Sequence, residues 1–500
     1  MYFQRMSDTF LTPIKAMRAR YIPLLMIYFA YGMTQFSAIA ETFFVKERLH
    51  LSAQALLAIG VWITLPWTIK MVFGQLVDCV PIFGSTRRTY IFIAAGLMFF
   101  GTVLMVGLAG QWHWVMSIGT SGTLYLLANL FSVMGFVLQD VVADAMTVEV
   151  VPREGRTKEE INKELAMVQL LGRLSLSIAL FLVAGLGGWL AQIFSYQTIF
   201  LLALIIPFIS ISGALLIKLP APVTKPINKV IFLGGLIYAG FVVVMGLSNV
   251  PYDQDIIFVV SLCIVIFFLM RLTATLDKKS VRNMVCAAMV IFVFRATPFV
   301  GPGIQWWEID VLGFKPAFFG TLSQISAGLA IAGMWFFARA ITEKPIGIVF
   351  IVLTIVGTIL TLPVIGMYYG VHQWTQATFG FGAHAIALVD VALSSPFAQL
   401  SMIPLLALVA RFAPVGSAAT WFALMSSLMN IALTAGSLFS RHLNQIWVVT
   451  RGDYSQLGVL LIVATAIGLL LPIGAVWLFL KDDLFFSKAN PSLPSVAQRK

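Results

Sequence analysis

Asp140 and Asp144 stand four residues apart inside an apolar run, so a helix puts both carboxylates on one face. Carboxylates are costly to bury in a bilayer and usually face a cavity or a partner. Two like charges this close favour sharing a proton, which makes the pair a candidate for proton coupling, and the isolated Asp390 is a third. Structural pairing of the two aspartates with Lys70 or Arg173, and of Asp390 with Arg411, is the alternative, and the sequence leaves both open.

Other polar residues within apolar stretches suggest ligand contacts. Tyr28, Tyr31 and Gln35 share a helical face at spacings of three and four, suited to an aromatic, hydrogen-bonding ligand or to bonding between helices. Lys70 and Arg295 are cations in apolar surroundings, and a buried guanidinium requires an anion from protein or ligand. Arg295 opens the run Arg295-Ala296-Thr297-Pro298-Phe299-Val300-Gly301-Pro302-Gly303, followed by Gln305, Trp306, Trp307 and Glu308. Such a break frees backbone groups that must pack on protein or line a cavity. Gln305 and Trp306 are accordingly candidate substrate contacts, whereas Trp307 reads as part of an interfacial aromatic belt. Asp78, followed by Arg87 and Arg88, has the form of a gating loop, with simple interfacial anchoring as the alternative; Arg173 and Arg411 complete the gating candidates. Glu149 reads as a structural residue near the interface. His50, His113, His372, His384 and His442 show no ligand spacing, Cys79, Cys263 and Cys286 form no cluster, and no GxxxxGK[ST] loop is present. These patterns give no support to metal chemistry, a cofactor or a built-in ATPase.

The elements that position these residues are membrane helices. Of the 500 residues 60% are hydrophobic and 11% charged, and the mean hydropathy is +0.94. Soluble chains carry about a quarter charged residues, so soluble enzymes and free nucleic-acid binders are excluded. Apolar stretches of about 20 residues, enough to cross a bilayer, recur fourteen times between 22 to 42 and 456 to 480. With loops assigned alternately to two sides, 24 Lys and Arg fall on the side of the N-terminus, and only Lys46, Arg48, Lys315 and Arg451 on the other. Both termini are therefore expected in the cytoplasm. The same asymmetry absorbs most of the net charge of +11 without an anionic partner. The N-terminus lacks the pattern of a removable signal peptide.

A weak internal repeat organises the stretches. Phe43-Phe44-Val45-Lys46-Glu47-Arg48-Leu49 and Trp306-Trp307-Glu308-Ile309-Asp310-Val311-Leu312 both run from an aromatic pair through acidic residues to a leucine, about 263 residues apart. The expected fold is an all-α polytopic membrane protein of the major facilitator type, with the substrate near the midplane between two six-helix halves. Those halves are expected over 1–217 and 283–500, with two additional helices in 218–282, about 14 crossings in all.

Several ordered motifs resemble the folate/biopterin transporter family, a branch of the major facilitator superfamily. They are Phe43-Phe44-Val45-Lys46-Glu47 with Leu51-Ser52; Leu65-Pro66-Trp67 through Lys70 to Asp78, Pro81, Gly84, Arg87 and Arg88; and Asp140-Val141-Val142-Ala143-Asp144 with Glu149. In the second half they are Ala296-Thr297-Pro298, Leu312-Gly313-Phe314-Lys315-Pro316 with Phe319-Gly320, Ala410-Arg411-Phe412-Ala413-Pro414, and Ala419-Thr420-Trp421-Phe422-Ala423-Leu424-Met425. The resemblance implies proton-coupled uptake of folates or pterins by alternating access. A pteridine would stack on aromatic rings, and a glutamate tail would seek Arg295 or Lys70. Met71 stands where the family often has proline, Ala418 where it has glutamate, and twelve crossings are its usual number. The expected partners are a small organic anion, protons and the lipid bilayer, for a monomer in a bacterial inner membrane. An exporter of drugs or amphipathic metabolites is the alternative on this fold; a membrane-embedded enzyme would need a His/Asp constellation on loops, which the sequence does not offer.

Overall fold

The computed structural model describes residues 17–480, apart from 153, 218–228, 249, 275–276, 343–345, 399–404, 406–407 and 410–417. Among them there is no strand, and only two isolated bridges, Ile82 with Ser85 and Thr450 with Asp453. The N-terminal helices are α1 (Ile22–Met33), α2 (Ala38–Phe44), α3 (Ala53–Thr68), α4 (Lys70–Cys79), α5 (Arg88–Ala109), α6 (Ser121–Glu149), α7 (Lys158–Ile193), α8 (Tyr196–Ala203) and α9 (Ile205–Leu215). Next come α10 (Lys229–Leu247) and α11 (Asp253–Thr273). The remainder are α12 (Lys278–Arg295), α13 (Gly303–Asp310), α14 (Pro316–Thr342), α15 (Ile346–Ile359), α16 (Leu362–Tyr368), α17 (Val371–Phe379), α18 (Ala383–Ala398), α19 (Ala418–Ile446) and α20 (Leu457–Phe479).

Helix starts follow local chemistry. The side chains of Ser52, Thr120 and Ser195 accept from backbone N–H groups three residues on, and Thr157 with Glu160 forms a reciprocal capping box ahead of α7. Asp277 accepts from the N–H groups of Lys279 and Ser280, both at 3.1 Å, and caps α12. The two segments of the sequence repeat end alike: His50 after the first and Gly313 after the second are both left-handed, with φ of 52° and 70°. Each then leads directly into the next long helix.

Helices occupy every one of the fourteen apolar stretches. Among the described residues eight are long and apolar enough to cross a membrane, or ten if each bent pair is one crossing. The bent pairs are Ala53–Thr68 with Val72–Cys79, at 41°, and Val371–Phe379 with Ala383–Phe397, at 107°. The expected fourteen crossings are thus not established by length and apolarity among the described residues; α12, for one, carries Lys278, Lys279, Arg282 and Arg295 within its 18 residues.

Two seams join the N-terminal helices to the later ones. In the first, α7 crosses α14 where glycines meet: a Cβ on Gly188 would lie 2.5 Å from Gly320 Cα, so neither position has room for a side chain. In the second, α3 runs beside α19, with Thr64 Oγ1 3.0 Å from Thr434 Oγ1 and Asn430 Nδ2 donating to the Trp67 carbonyl at 3.1 Å. The broken segment 296–302 packs on α19 through its backbone: Phe299 N–H donates to Ser440 Oγ at 2.8 Å, and Val300 C=O accepts from Asn444 Nδ2 at 3.1 Å. Two of the backbone groups in the break are thereby satisfied, as apolar surroundings require.

Candidate functional site: a charged cluster and a cavity

The bend between α3 and α4 turns Lys70 towards α6. Lys70 Nζ lies 2.6 Å from Asp140 Oδ2 and 2.8 Å from Asp144 Oδ2, so the i, i+4 carboxylates share one ammonium. Asp140 is the more enclosed of the two, with a side chain 17% exposed against 54% for Asp144. Tyr28 and Tyr31 on α1 lie within electrostatic reach of both aspartates and of Arg173 on α7. Five residues named from sequence for two different roles, Tyr28, Tyr31, Lys70, Asp140 and Asp144, therefore form one cluster, with Arg173 beside it. Two anions facing Lys70 and Arg173 balance when ionised, and a proton taken up on either aspartate leaves a net positive cluster.

A separate cavity of about 380 Å³ is lined by Glu41 of α2, Val45 of the first repeat segment, Ile59 and Gly60 of α3, Tyr125 of α6, Phe299 and Pro302 of the broken segment, and Gln305 and Trp306 of α13. Tyr125 hydroxyl donates to Glu41 Oε1 at 2.7 Å. Trp306 is 1% exposed, with its ring 4.5 Å from the Arg451 guanidinium carbon, and Arg451 also donates to the Val45 carbonyl at 3.0 Å. Arg451 thus ties a late loop to the first repeat segment directly beside the cavity. Lys46 pairs with Asp310, which also accepts from Tyr454 hydroxyl, making a second tie between the repeat segments.

Gln305 and Trp306 both line this cavity. Gln35 is exposed and is not among its walls. Arg295 is half-buried, with Nε 3.4 Å from the Met429 carbonyl on α19. Trp307 corrects the expectation of an interfacial belt: it is 4% exposed and packs with Phe314, Met367 and Leu457 in a core, its ring 5.7 Å from that of Tyr368 on α16. Asp390 has a buried Oδ1 without a hydrogen-bond partner among the described residues, and Arg411 lies outside them.

Of the gating candidates, Arg87 is a hub. Its guanidinium donates to Glu149 at 2.6 and 3.0 Å, to Asp78 at 3.0 Å and to the Val77 carbonyl at 2.8 Å, riveting the ends of α4 and α6 together. Glu149 is accordingly a structural partner. Arg88 donates to the carbonyls of Ala214 and Ile217, binding the end of α9. Glu41, Tyr125, Lys46, Asp310 and Arg451 have no functional role assigned from sequence. The signal available for Lys46 and Asp310 was their near-equivalent position in the repeat, 264 residues apart.

The sequence profile of the BT1 family matches residues 31–490. A folate-biopterin transporter of Synechocystis sp. is 25% identical over 458 residues, covering 90% of this chain and 80% of the relative. A probable folate-biopterin transporter 4 of Arabidopsis thaliana is 24% identical, covering 86% and 89%. Among solved structures, a POT family transporter in complex with 5-aminolevulinic acid superposes with a TM-score of 0.63 at 12% identity, covering 94% of this chain and 99% of that one. A peptide transporter POT in complex with sulfate gives 0.58 at 14% identity, covering 90% and 93%. These likenesses, together with the helical architecture, establish a transporter fold of the major facilitator type. The chain belongs to the BT1 family and is a polytopic membrane transporter, not an enzyme.

Proposed function

We propose that the protein is a secondary active importer of folate, pterin or a related organic anion, driven by protons and working by alternating access. The observation that carries this reading is Lys70 shared between Asp140 and Asp144 beside Tyr28 and Tyr31, with Arg173 of the seam helix α7 within electrostatic reach. Protonation of either aspartate releases part of Lys70's pairing, so proton uptake and the availability of a cation for an anionic ligand are linked through one side chain. The cavity offers a complementary surface: Tyr125 and Phe299 supply aromatic rings, and Gln305 and Glu41 present hydrogen-bonding groups of the kind a pteridine edge would use. The substrate class also draws on the relatives, which are named for folate and biopterin.

In this reading the halves over 1–217 and 283–500 move about the two seams, the ties Lys46–Asp310 and Arg451–Val45 hold one end closed, and the pair of helices within 218–282 rides beside them. Asp390 is a secondary proton site in the later half; Asp78, Arg87, Arg88, Arg173 and Arg411 hold the gate at the end rich in basic residues. The protein works as a monomer, since the cavity and both seams come from one chain, and it sits in a bacterial inner membrane with both termini cytoplasmic, the orientation favoured by the distribution of Lys and Arg. The test is uptake of labelled folate, biopterin and unrelated organic anions into proteoliposomes, with and without an inward proton gradient. Gradient-driven accumulation of folate or biopterin is expected; accumulation of a different compound alone would overturn the substrate class, and extrusion in exchange for protons would reverse the direction.

A further inference from the structure

A second cavity, of about 500 Å³, lies where α10 and α11 meet α3, α4 and α19, and its wall includes Ile69, the residue before Lys70. Its walls include Thr68 and Val72 from the N-terminal helices and Leu424, Ser427 and Ile431 from α19. Adjacent glycines on α10 create it. A Cβ on Gly235 would be 2.2 Å from Val72, so this glycine permits α10 to press onto α4, whereas a Cβ on Gly234 would meet nothing within 4 Å and faces the open space. Three of the four hydroxyls in the wall bond within the protein: Tyr238 and Ser261 bond each other, Ser261 donates to the Ile257 carbonyl at 2.7 Å, and Thr68 donates to the Leu65 carbonyl at 2.7 Å. Apart from Ser427 and Cys263 the wall is a hydrocarbon surface, and Leu233, Ile237 and Phe267 are exposed on helices read as membrane-embedded.

We infer that this cavity holds an acyl chain of an anionic phospholipid. The predominantly apolar wall suits an alkyl chain, and the bilayer supplies one at the highest concentration of any apolar molecule. Charge selects the headgroup: α10 and α11 are antiparallel, and the end at which α10 begins and α11 finishes carries Lys229 and Arg271, both exposed, with Arg271 one turn beyond Phe267 and Phe268 in the cavity wall. Because the walls come from both sides of the α3–α19 seam, the bound chain contacts helices that must separate if that seam opens, and lipid occupancy is coupled to the seam. The site and its test do not depend on which substrate is carried.

The test is photolabelling of the full-length protein in nanodiscs with phosphatidylglycerol bearing a diazirine in its acyl chain, with peptide mapping by mass spectrometry. Labelling is expected to concentrate on α10 and α11 around Gly234, Val259 and Cys263. Gly234→Leu, which fills the space without a backbone clash, should reduce it to about a tenth. Arg271→Gln should reduce it about fivefold for phosphatidylglycerol and leave diazirine phosphatidylcholine labelling unchanged. Labelling spread evenly over the lipid-facing helices, or undiminished in Gly234→Leu, would overturn the acyl-chain site; equal labelling by the two lipids in the unmodified protein would overturn the anionic headgroup.

Discussion

Lys70 Nζ stands 2.6 Å from Asp140 and 2.8 Å from Asp144, one ammonium between two carboxylates a helical turn apart. Neither aspartate is paired with Lys70 exclusively, so the balance of the cluster changes with a single proton. Lys70→Met leaves two anions facing each other without their shared cation. It is expected to lower thermal stability by about 2 kcal/mol and to eliminate gradient-driven uptake. Adding Asp144→Asn should recover most of the stability without restoring uptake, measurable by thermal unfolding in detergent alongside transport.

The pair Lys46–Asp310 joins the two repeat segments near the cavity. Reversal of one charge, Lys46→Asp or Asp310→Lys, opposes like charges across the tie and should change transport rate about fivefold, whereas the double reversal should return it to within about twofold of the starting value. A double variant no better than the worse single variant would show that the tie is incidental.

Gly188 and Gly320 approach closely enough that side chains cannot be inserted. Gly188→Leu should destabilise the protein by about 1–3 kcal/mol or more through overpacking at the seam, visible as reduced folded yield and a lower melting temperature. Gly96, whose Cβ would meet nothing within 4 Å, is the control, and Gly96→Ala should be neutral or nearly so.

Away from the apolar segments, Glu164 accepts from Arg20, Tyr21 and Arg156. Burial opposes its charge, but these donors outweigh it and pull its pKa down from 4.5 to about 2. Since the folded value lies below the unfolded one, the stabilisation is fully present above about pH 4.5 and is lost as the pH falls towards 2. Glu164→Gln should therefore lower the melting temperature at pH 7, by the equivalent of about 1–2 kcal/mol, and have much less effect near pH 3.

Arg295 lies half-buried against α19. If it meets the anionic tail of the ligand, Arg295→Ala weakens folate binding about tenfold and biopterin binding much less. Equal losses for the two, in competition uptake assays, would give Arg295 a purely structural role.

Much of this arrangement is legible in the sequence because membrane helices have a one-dimensional signature. Apolar runs of fixed length located the helices, and the i, i+4 spacing put Asp140 and Asp144 on one face. The family resemblance, carried by motifs from Phe43 to Met425, agrees with the profile match over 31–490. Sequence could not choose Lys70 over Arg173 as the direct partner, since that depends on the bend at Ile69 that turns α4 towards α6. Trp307 was misread for a similar reason: an aromatic residue at a helix end looks like a belt until the break at Thr297 to Pro302 folds α13 inwards and buries it. The Glu41–Tyr125 contact joins residues 84 apart, and Arg451 reaches Val45 across 406, separations at which no local pattern operates.

The most direct test of the account is the steady-state accumulation ratio of labelled folate in proteoliposomes under an inward proton gradient, compared for the unmodified protein and Asp140→Asn. The prediction is that the unmodified protein concentrates folate above the external level, while Asp140→Asn equilibrates and still exchanges external for internal folate. Concentrative uptake by Asp140→Asn equal to that of the unmodified protein would contradict the assignment of proton coupling to the Lys70–Asp140–Asp144 cluster.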